Sequence, residues 1–387
     1  MALGRDEADR EQSGPGDVLE FGRPARLRFR WLGPLALTCA VVVAVVAVVV
    51  RSGGQHRPSP LPPPAVTDVG HPILGIRAGY ELFGLDRSGV VAVQFARGQI
   101  VRTRLPPLQG DGIVSFVVAR GEVLVRPLDS VPGYVVPDGR PARPLTGALA
   151  RGGTLLPGPT ATQQWLAGGN LVLVGPDGKT GPAHLGHLTA SVAPAQQVIS
   201  DGRGGVVFIT ASGTVYDAGP GVLRPVQELL LALGSRNWLG VTCSEVACRY
   251  VVISAATGVS SSLPGAAIPL GSWPLESLPG GPWPWQALPG LAAPDGSAAA
   301  LIVSGQTPDQ SSLELINLSS GVTTQVRVAV RQGSSSDSLA WSPDSRWLFV
   351  ITAGGRLAAV SPATGRVTEL GLGLTALSQV AIRPAAR

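Results

Sequence analysis

Ser338 to Leu370 reads SLAWSPDSRWLFVITAGGRLAAVSPATGRVTEL. Short apolar runs alternate here with turn sequences. Leu339 to Trp341 is followed by Ser342-Pro343-Asp344-Ser345, Trp347 to Thr352 by Ala353-Gly354-Gly355, and Arg356 to Ser361 by Ala363-Thr364-Gly365; Arg366 to Leu370 closes the unit. In such turns proline sets φ near −65°, aspartate bonds forward to the backbone, and glycine accepts φ > 0. Runs this short between such turns read as strands, and four antiparallel strands in succession make one propeller blade.

Working outward, the turn before the last strand of the unit recurs along the chain. It ends in Gly98, Gly139, Gly178, Gly219 or Gly221, Gly258, Gly321 and Gly365. With Gly219 the spacings are 41, 39, 41, 39, 63 and 44 residues. Repeats of about forty residues are a signature of stacked four-stranded units. The long interval contains GSWPLESLPGGPWPWQALPG, Gly271 to Gly290, and shrinks to 43 without those 20 residues. The expectation is therefore an all-β, seven-bladed β-propeller over residues 73–387, with a Trp/Pro insertion at 271–290. The first unit supplies only Glu81 to Asp86, Val90 to Phe95 and Gln99 to Leu105, whereas Leu377 to Pro384 repeats the first-strand pattern. A C-terminal strand completing the N-terminal blade would close the ring and remove an exposed edge.

At WSPDSRW (Trp341 to Trp347) and APDGS (Ala293 to Ser297) the chain resembles the WD40-like β-propeller repeats of the TolB type. Two units carry the resemblance well and the others carry it by spacing; the Gly-His and Trp-Asp pairs of true WD40 repeats are absent. The resemblance implies a rigid disc that binds partners through its loops and central channel, and it implies no catalytic residues.

Upstream, Leu32 to Val50 reads LGPLALTCAVVVAVVAVVV, 19 residues without a charge. A helix of that length measures about 28 Å, close to the roughly 30 Å hydrocarbon thickness of a bilayer. The run exceeds the apolar region of a cleaved signal peptide and lacks a small-x-small site after Val50. Arg23, Arg26, Arg28 and Arg30 precede it and only Arg51 and Arg57 follow, which places the N-terminus in the cytoplasm. The expected order is a polar, disordered tail (1–31), a single transmembrane α-helix (32–50) in contact with the lipid bilayer, a Pro-rich spacer (51–72), then the propeller outside the cell membrane. Pro58, Pro60, Pro62, Pro63 and Pro64 favour extended polyproline II.

Cys243 and Cys248 flank a short turn between two strand-like segments. A hairpin would bring them to disulfide distance, in keeping with an oxidising compartment. A buried thiol pair and half of a metal site are the other readings; the missing second Cys pair counts against the last.

Composition narrows the function classes. The chain has 51 Gly and 35 Pro, 44% hydrophobic and only 14% charged residues. That excludes a mainly helical fold and a disordered polyelectrolyte. One Lys, Lys179, stands among 30 basic residues, which reads as the codon bias of a GC-rich bacterial sequence. A net charge of +5 without a basic run or interleaved aromatics argues against nucleic acid as a partner.

Catalytic, phosphate-binding and metal motifs are missing from the sequence. Gly371 to Ala376 mimics a dinucleotide fingerprint but follows a blade strand, and His184 and His187 lack a third ligand. No cofactor, metal site or catalytic residue is expected. The insertion holds Trp273, Trp283 and Trp285, the candidate binding residues. They either cover a blade face or offer flat apolar surfaces to an envelope protein or glycan. The reading is a membrane-tethered scaffold at the bacterial cell envelope. Its rival is an envelope hydrolase or lyase in which Asp86, Asp111, Asp201 and Asp344 converge on the channel.

Overall fold

The computed structural model describes residues 61–106, 114–127, 132–150, 153–168, 170–175, 178–181, 197–209, 214–219, 222–244, 247–265, 268–269, 290–303, 311–331, 335–374 and 376–384. The expected tail, transmembrane helix and residues 51–60 of the spacer lie outside them. Among the described residues no helix is long and apolar enough to cross a membrane.

The chain opens with β1 (Ala65–Asp68), β2 (Tyr80–Asp86), β3 (Gly89–Gln94) and β4 (Gln99–Arg104), followed by β5 (Val114–Ala119), β6 (Glu122–Pro127), β7 (Tyr134–Pro137) and β8 (Arg143–Pro144). Next come β9 (Thr154–Pro157), β10 (Gln164–Gly168), β11 (Asn170–Val174) and β12 (Thr180–Gly181), then β13 (Gln197–Ser200), β14 (Val206–Ile209), β15 (Val215–Gly219) and β16 (Val222–Val226). β17 (Leu229–Leu233), β18 (Asn237–Cys243), β19 (Ala247–Ser254), β20 (Ser260–Ser262) and β21 (Ile268–Pro269) precede β22 (Gly290–Ala292), β23 (Ala298–Val303), β24 (Ser312–Asn317) and β25 (Thr323–Val326). The last group is β26 (Leu339–Trp341), β27 (Leu348–Ile351), β28 (Leu357–Val360) and β29 (Val367–Glu369), and β30 (Gln379–Pro384) follows it.

These strands build an all-β propeller of antiparallel meanders. β5–β8, β9–β12, β13–β16 and β26–β29 each form a separate four-stranded sheet. β30 pairs with β2 from Tyr80↔Pro384 to Leu85↔Gln379, so the C-terminal strand completes the first sheet, as the sequence pattern predicts. That sheet carries a fifth strand: β1 pairs with β4, Ala65↔Arg102 to Asp68↔Gln99. Residues 65–68, expected in the Pro-rich spacer, are thus part of the propeller. The dense proline run of that segment ends at Pro64, and Ala65-Val66-Thr67 has the composition of a strand.

Seven separate blades were expected, and the described strands do not form seven separate sheets. Five sheets are of blade size, and the sixth has nine strands. In it the meanders β17–β20 and β22–β25 are fused by parallel pairing of β17 with β22, Ala232↔Gly290 and Leu233↔Leu291. Small residues explain the close approach. A Cβ on Gly290 would stand 3.2 Å from the Ala232 Cβ, and one on Gly234 would meet Ala292. Turn spacing does not report such a lateral contact.

The core lies between neighbouring meanders. Phe83, Leu85 and Val90 pack on Val123, Val125 and Val136; Trp165 packs on Val206 and Phe208. The last sheet packs on the first through Phe349, Ile351 and Leu357 against Leu82, Val93, Phe95 and Val380. Each of these large side chains contributes roughly 1.5–3 kcal/mol by burial. The apolar seam between last and first sheets, together with β30, makes the ring continuous.

Of the tracked turn glycines, Gly98, Gly139, Gly178, Gly258, Gly321 and Gly365 have φ between 63° and 73°. This left-handed region favours glycine, which is why the repeat is visible as a glycine spacing. Gly219 differs: it ends β15 opposite Val222.

Candidate functional site

Trp273, Trp283 and Trp285 lie outside the described residues, as do Asp111, His184 and His187. Cys243 and Cys248 are register partners across the β18–β19 hairpin and are joined as a disulfide with a Cα separation of 3.9 Å.

The three described acids of the enzyme reading do not come together. Asp86 ends β2, where its Oδ1 accepts the N–H groups of Ser88 (2.7 Å) and Gly89 (2.9 Å) and the Ser88 hydroxyl (2.6 Å). Asp201 follows β13 and accepts the N–H groups of Arg203 (2.7 Å) and Gly205 (2.8 Å). Asp344 follows β26 and takes the Ser342 hydroxyl at 2.6 Å. Each carboxylate is engaged by its own turn. Asp86 occupies a second-to-third strand turn in its blade, and the other two occupy first-to-second strand turns, which lie at the opposite end of a meander. Among the described residues no group of three metal-ligating side chains occurs.

A charged cluster that the sequence did not single out lies between β13–β16 and β17–β20. Asp217, in β15, is fully buried, and its Oδ2 lies 2.7 Å from Nη2 of Arg224 and 3.1 Å from Nη2 of Arg203. Asp201, also fully buried, is 3.4 Å from the same Arg203 nitrogen. Arg224 donates onward to the carbonyls of Ala255 and Ala256, across the boundary between the two meanders. Both guanidinium carbons stand 5.8 Å from the Trp238 ring, whose Nε1–H bonds the Asp201 and Gly234 carbonyls. Burial raises the Asp217 pKa above the ordinary carboxylate value; Arg203 and Arg224 oppose that shift, and Asp201 adds to it. The available sequence signal is parity: Asp217 alternates with Val215 on a buried strand, where an acid needs partners.

Arg203 also lines a cleft of about 370 Å³ at the first-to-second strand turns of three successive meanders. Thr160, Gln163, Gln164 and Ser200 supply its other polar side chains, and Pro157 to Pro159 form part of its wall. The Thr160 hydroxyl bonds Gln163 Oε1 at 3.0 Å, which leaves the Gln163 amide nitrogen to donate. The Arg203 side chain is 23% exposed and is held from behind by two carboxylates. Of the lining residues none is His, Cys, Asp or Glu. The arrangement can hold a small polar group in place, and it pairs no hydroxyl with a base.

No protein-family model matches the chain, and no curated protein does. Solved structures match at the level of shape. A puromycin-hydrolysing peptidase of Mycobacterium tuberculosis is 17% identical, with 80% of this chain and 52% of that one covered and a TM-score of 0.48. The periplasmic gluconolactonase PpgL of Pseudomonas aeruginosa is 16% identical, with 79% and 99% covered and a TM-score of 0.45. The dihydro-heme d1 dehydrogenase NirN is 14% identical, with 83% and 80% covered and a TM-score of 0.42. At these scores the propeller assignment rests on the strand pairing.

Proposed function

We propose that this chain is a membrane-tethered propeller that serves outside the cytoplasm as a ligand-binding or protein-interaction scaffold at the cell envelope. The observation that carries this reading is the use of the described acids. Asp86, Asp201 and Asp344 are consumed by their own turns, and Asp217 is consumed by two arginines. They stabilise a ring and do not face one another across a channel. We count the nine-stranded sheet as two blades, because each of its halves is a four-stranded meander, which gives a seven-bladed disc.

The uncharged run at 32–50 supplies the anchor, and the arginines before it set the orientation. The Cys243–Cys248 bond fits an oxidising compartment. Trp273, Trp283 and Trp285 remain the proposed contact residues for a partner protein or glycan.

A photo-crosslinking residue at Trp283 or Trp285 in intact cells, with mass spectrometry of the products, tests the scaffold. One specific envelope protein recovered from both positions supports it. A reporter fused after Arg387 that is active only in the cytoplasm would overturn the orientation. Hydrolytic or lyase turnover lost on Asp201→Asn with the fold intact would favour the enzyme reading.

A further inference from the structure

Arg126 is the penultimate residue of β6, and Ser115 stands opposite it in β5. Cross-strand partners share a face of the sheet. The Ser115 hydroxyl oxygen accepts the Leu155 N–H at 3.1 Å, so that face is turned towards β9. Leu124, two residues before Arg126 and therefore on the same face, packs there with Val117, Leu145 and Leu155. A guanidinium thus sits at an apolar seam between two meanders.

Arg126 is only 3% exposed. Its Nη1 is buried and has no hydrogen-bond partner among the described residues. The cluster described above treats its arginines differently, since Arg203 and Arg224 both meet Asp217; Arg383, likewise, meets Glu81 and Asp138. No described carboxylate pairs with Arg126 in this way, and burial alone draws its pKa down. Arginine keeps its proton in proteins, so burial cannot be relieved by neutralisation as it is for lysine. An isolated buried charge carries a large desolvation cost unless a counter-ion meets it.

We propose that Arg126 and Ser115 form a binding site for a small oxyanion, a carboxylate or phosphoryl group, at the seam between β5–β6 and β9. One anion oxygen accepts from Nη1 of Arg126. A second accepts the Ser115 hydroxyl proton, which the bond from Leu155 leaves available because that bond uses only the oxygen. The planar guanidinium suits such two-oxygen groups. The site stands apart from the 370 Å³ cleft: Ser115 is at the start of β5, whereas Ala119, at its end, lines the cleft. It also stands independently of the scaffold reading.

The test is thermal unfolding of the full-length protein against sodium acetate and, separately, sodium phosphate, at ionic strength fixed with sodium chloride. A ligand of the folded state raises the midpoint with a saturable dependence. The wild type should respond so to at least one of the two anions; acetate alone identifies a carboxylate and phosphate alone a phosphoryl group. Arg126→Met should lose the response and be no less stable than wild type without anion, since it removes a buried charge. Ser115→Ala should weaken binding by about tenfold while the protein stays folded, which decides the matter should Arg126→Met fail to fold. A wild type indifferent to both anions overturns the proposal. So does an Arg126→Met loss of stability that anion does not change and that Asp129→Asn, three residues on in sequence, reproduces: the guanidinium would then be neutralised by the chain itself.

Discussion

The guanidinium of Arg383, in the closing strand, lies 2.7 Å from the carboxylate of Asp138, 245 residues earlier, and so ties the first sheet to the second. The same Nη2 meets Glu81 at 2.8 Å, Nη1 donates to the Ala119 carbonyl at 2.7 Å, and the guanidinium carbon sits 4.7 Å from the Phe83 ring. Arg383→Met keeps the stem and removes every polar tie. Because Asp138 is half exposed, its share is screened, and the loss should be about 2–3 kcal/mol rather than the full cost of breaking a buried pair. Equilibrium denaturation measures it.

Burial pushes the Asp337 carboxyl up to about 6, against the opposing charge of Arg331. Folding therefore takes up a proton between about pH 4, near the ordinary value, and pH 6. Stability from this group is greatest below pH 4 and falls as pH rises through 6, then stays level. Asp337→Asn should be the more stable protein above pH 6, and the difference from wild type should shrink towards pH 4. Denaturant midpoints between pH 4 and 8 check the sign.

Gly139 and Gly321 occupy the same turn of the repeat with φ of 65° and 72°. A Cβ on Gly139 meets nothing within 4 Å, whereas one on Gly321 would overlap the Pro264 carbonyl oxygen. Gly139→Ala should cost about 1 kcal/mol, the price of the left-handed backbone. Gly321→Ala carries the same strain plus a backbone collision and should cost at least about 2 kcal/mol more. Paired melts separate the two contributions.

Among the described residues, Asp217 is the one carboxylate that both Arg203 and Arg224 reach. Asp217→Asn leaves mostly buried Arg203 with the Asp201 carboxylate and mostly buried Arg224 with the Ala255 and Ala256 carbonyls, and about 3–4 kcal/mol of stability should be lost. The triple replacement Asp217→Leu, Arg203→Met, Arg224→Met removes the charges together and should recover most of that loss. Recovery would show that the cluster is paired rather than individually stabilising.

How much of this was legible follows from what a repeat writes into a sequence. The blade at Leu339–Glu369 was readable strand by strand because its turns demand proline, aspartate and glycine at fixed offsets. The closing strand was readable because β30 repeats the first-strand pattern. The fusion of β17 to β22 was not, since it depends on Ala232 and Gly290 being small at a lateral contact. β1 was overshadowed by the prolines before it. In the site, Asp344 was legible as a turn former from Ser342-Pro343-Asp344-Ser345, and its bonds from the Ser342 hydroxyl and the Arg346 N–H agree, whereas Asp201 was legible only as an acid. Asp217, Arg203, Arg224 and Arg126 were passed over because each is a single charged residue in an otherwise ordinary strand or turn. Their meaning lies in partners elsewhere in the blade, with Asp217 14 residues from Arg203 and Arg224 on the next strand, or in the lack of one among the described residues.

The central claim is a ring closed by β30, and hydrogen exchange of the full-length protein tests it most directly. Amides of 379–383 and of 80–86 should open with the same free energy, and Arg383→Met should lower both together. Exchange of 379–383 at the rate of an unstructured chain while 80–86 stays protected would contradict the closed ring.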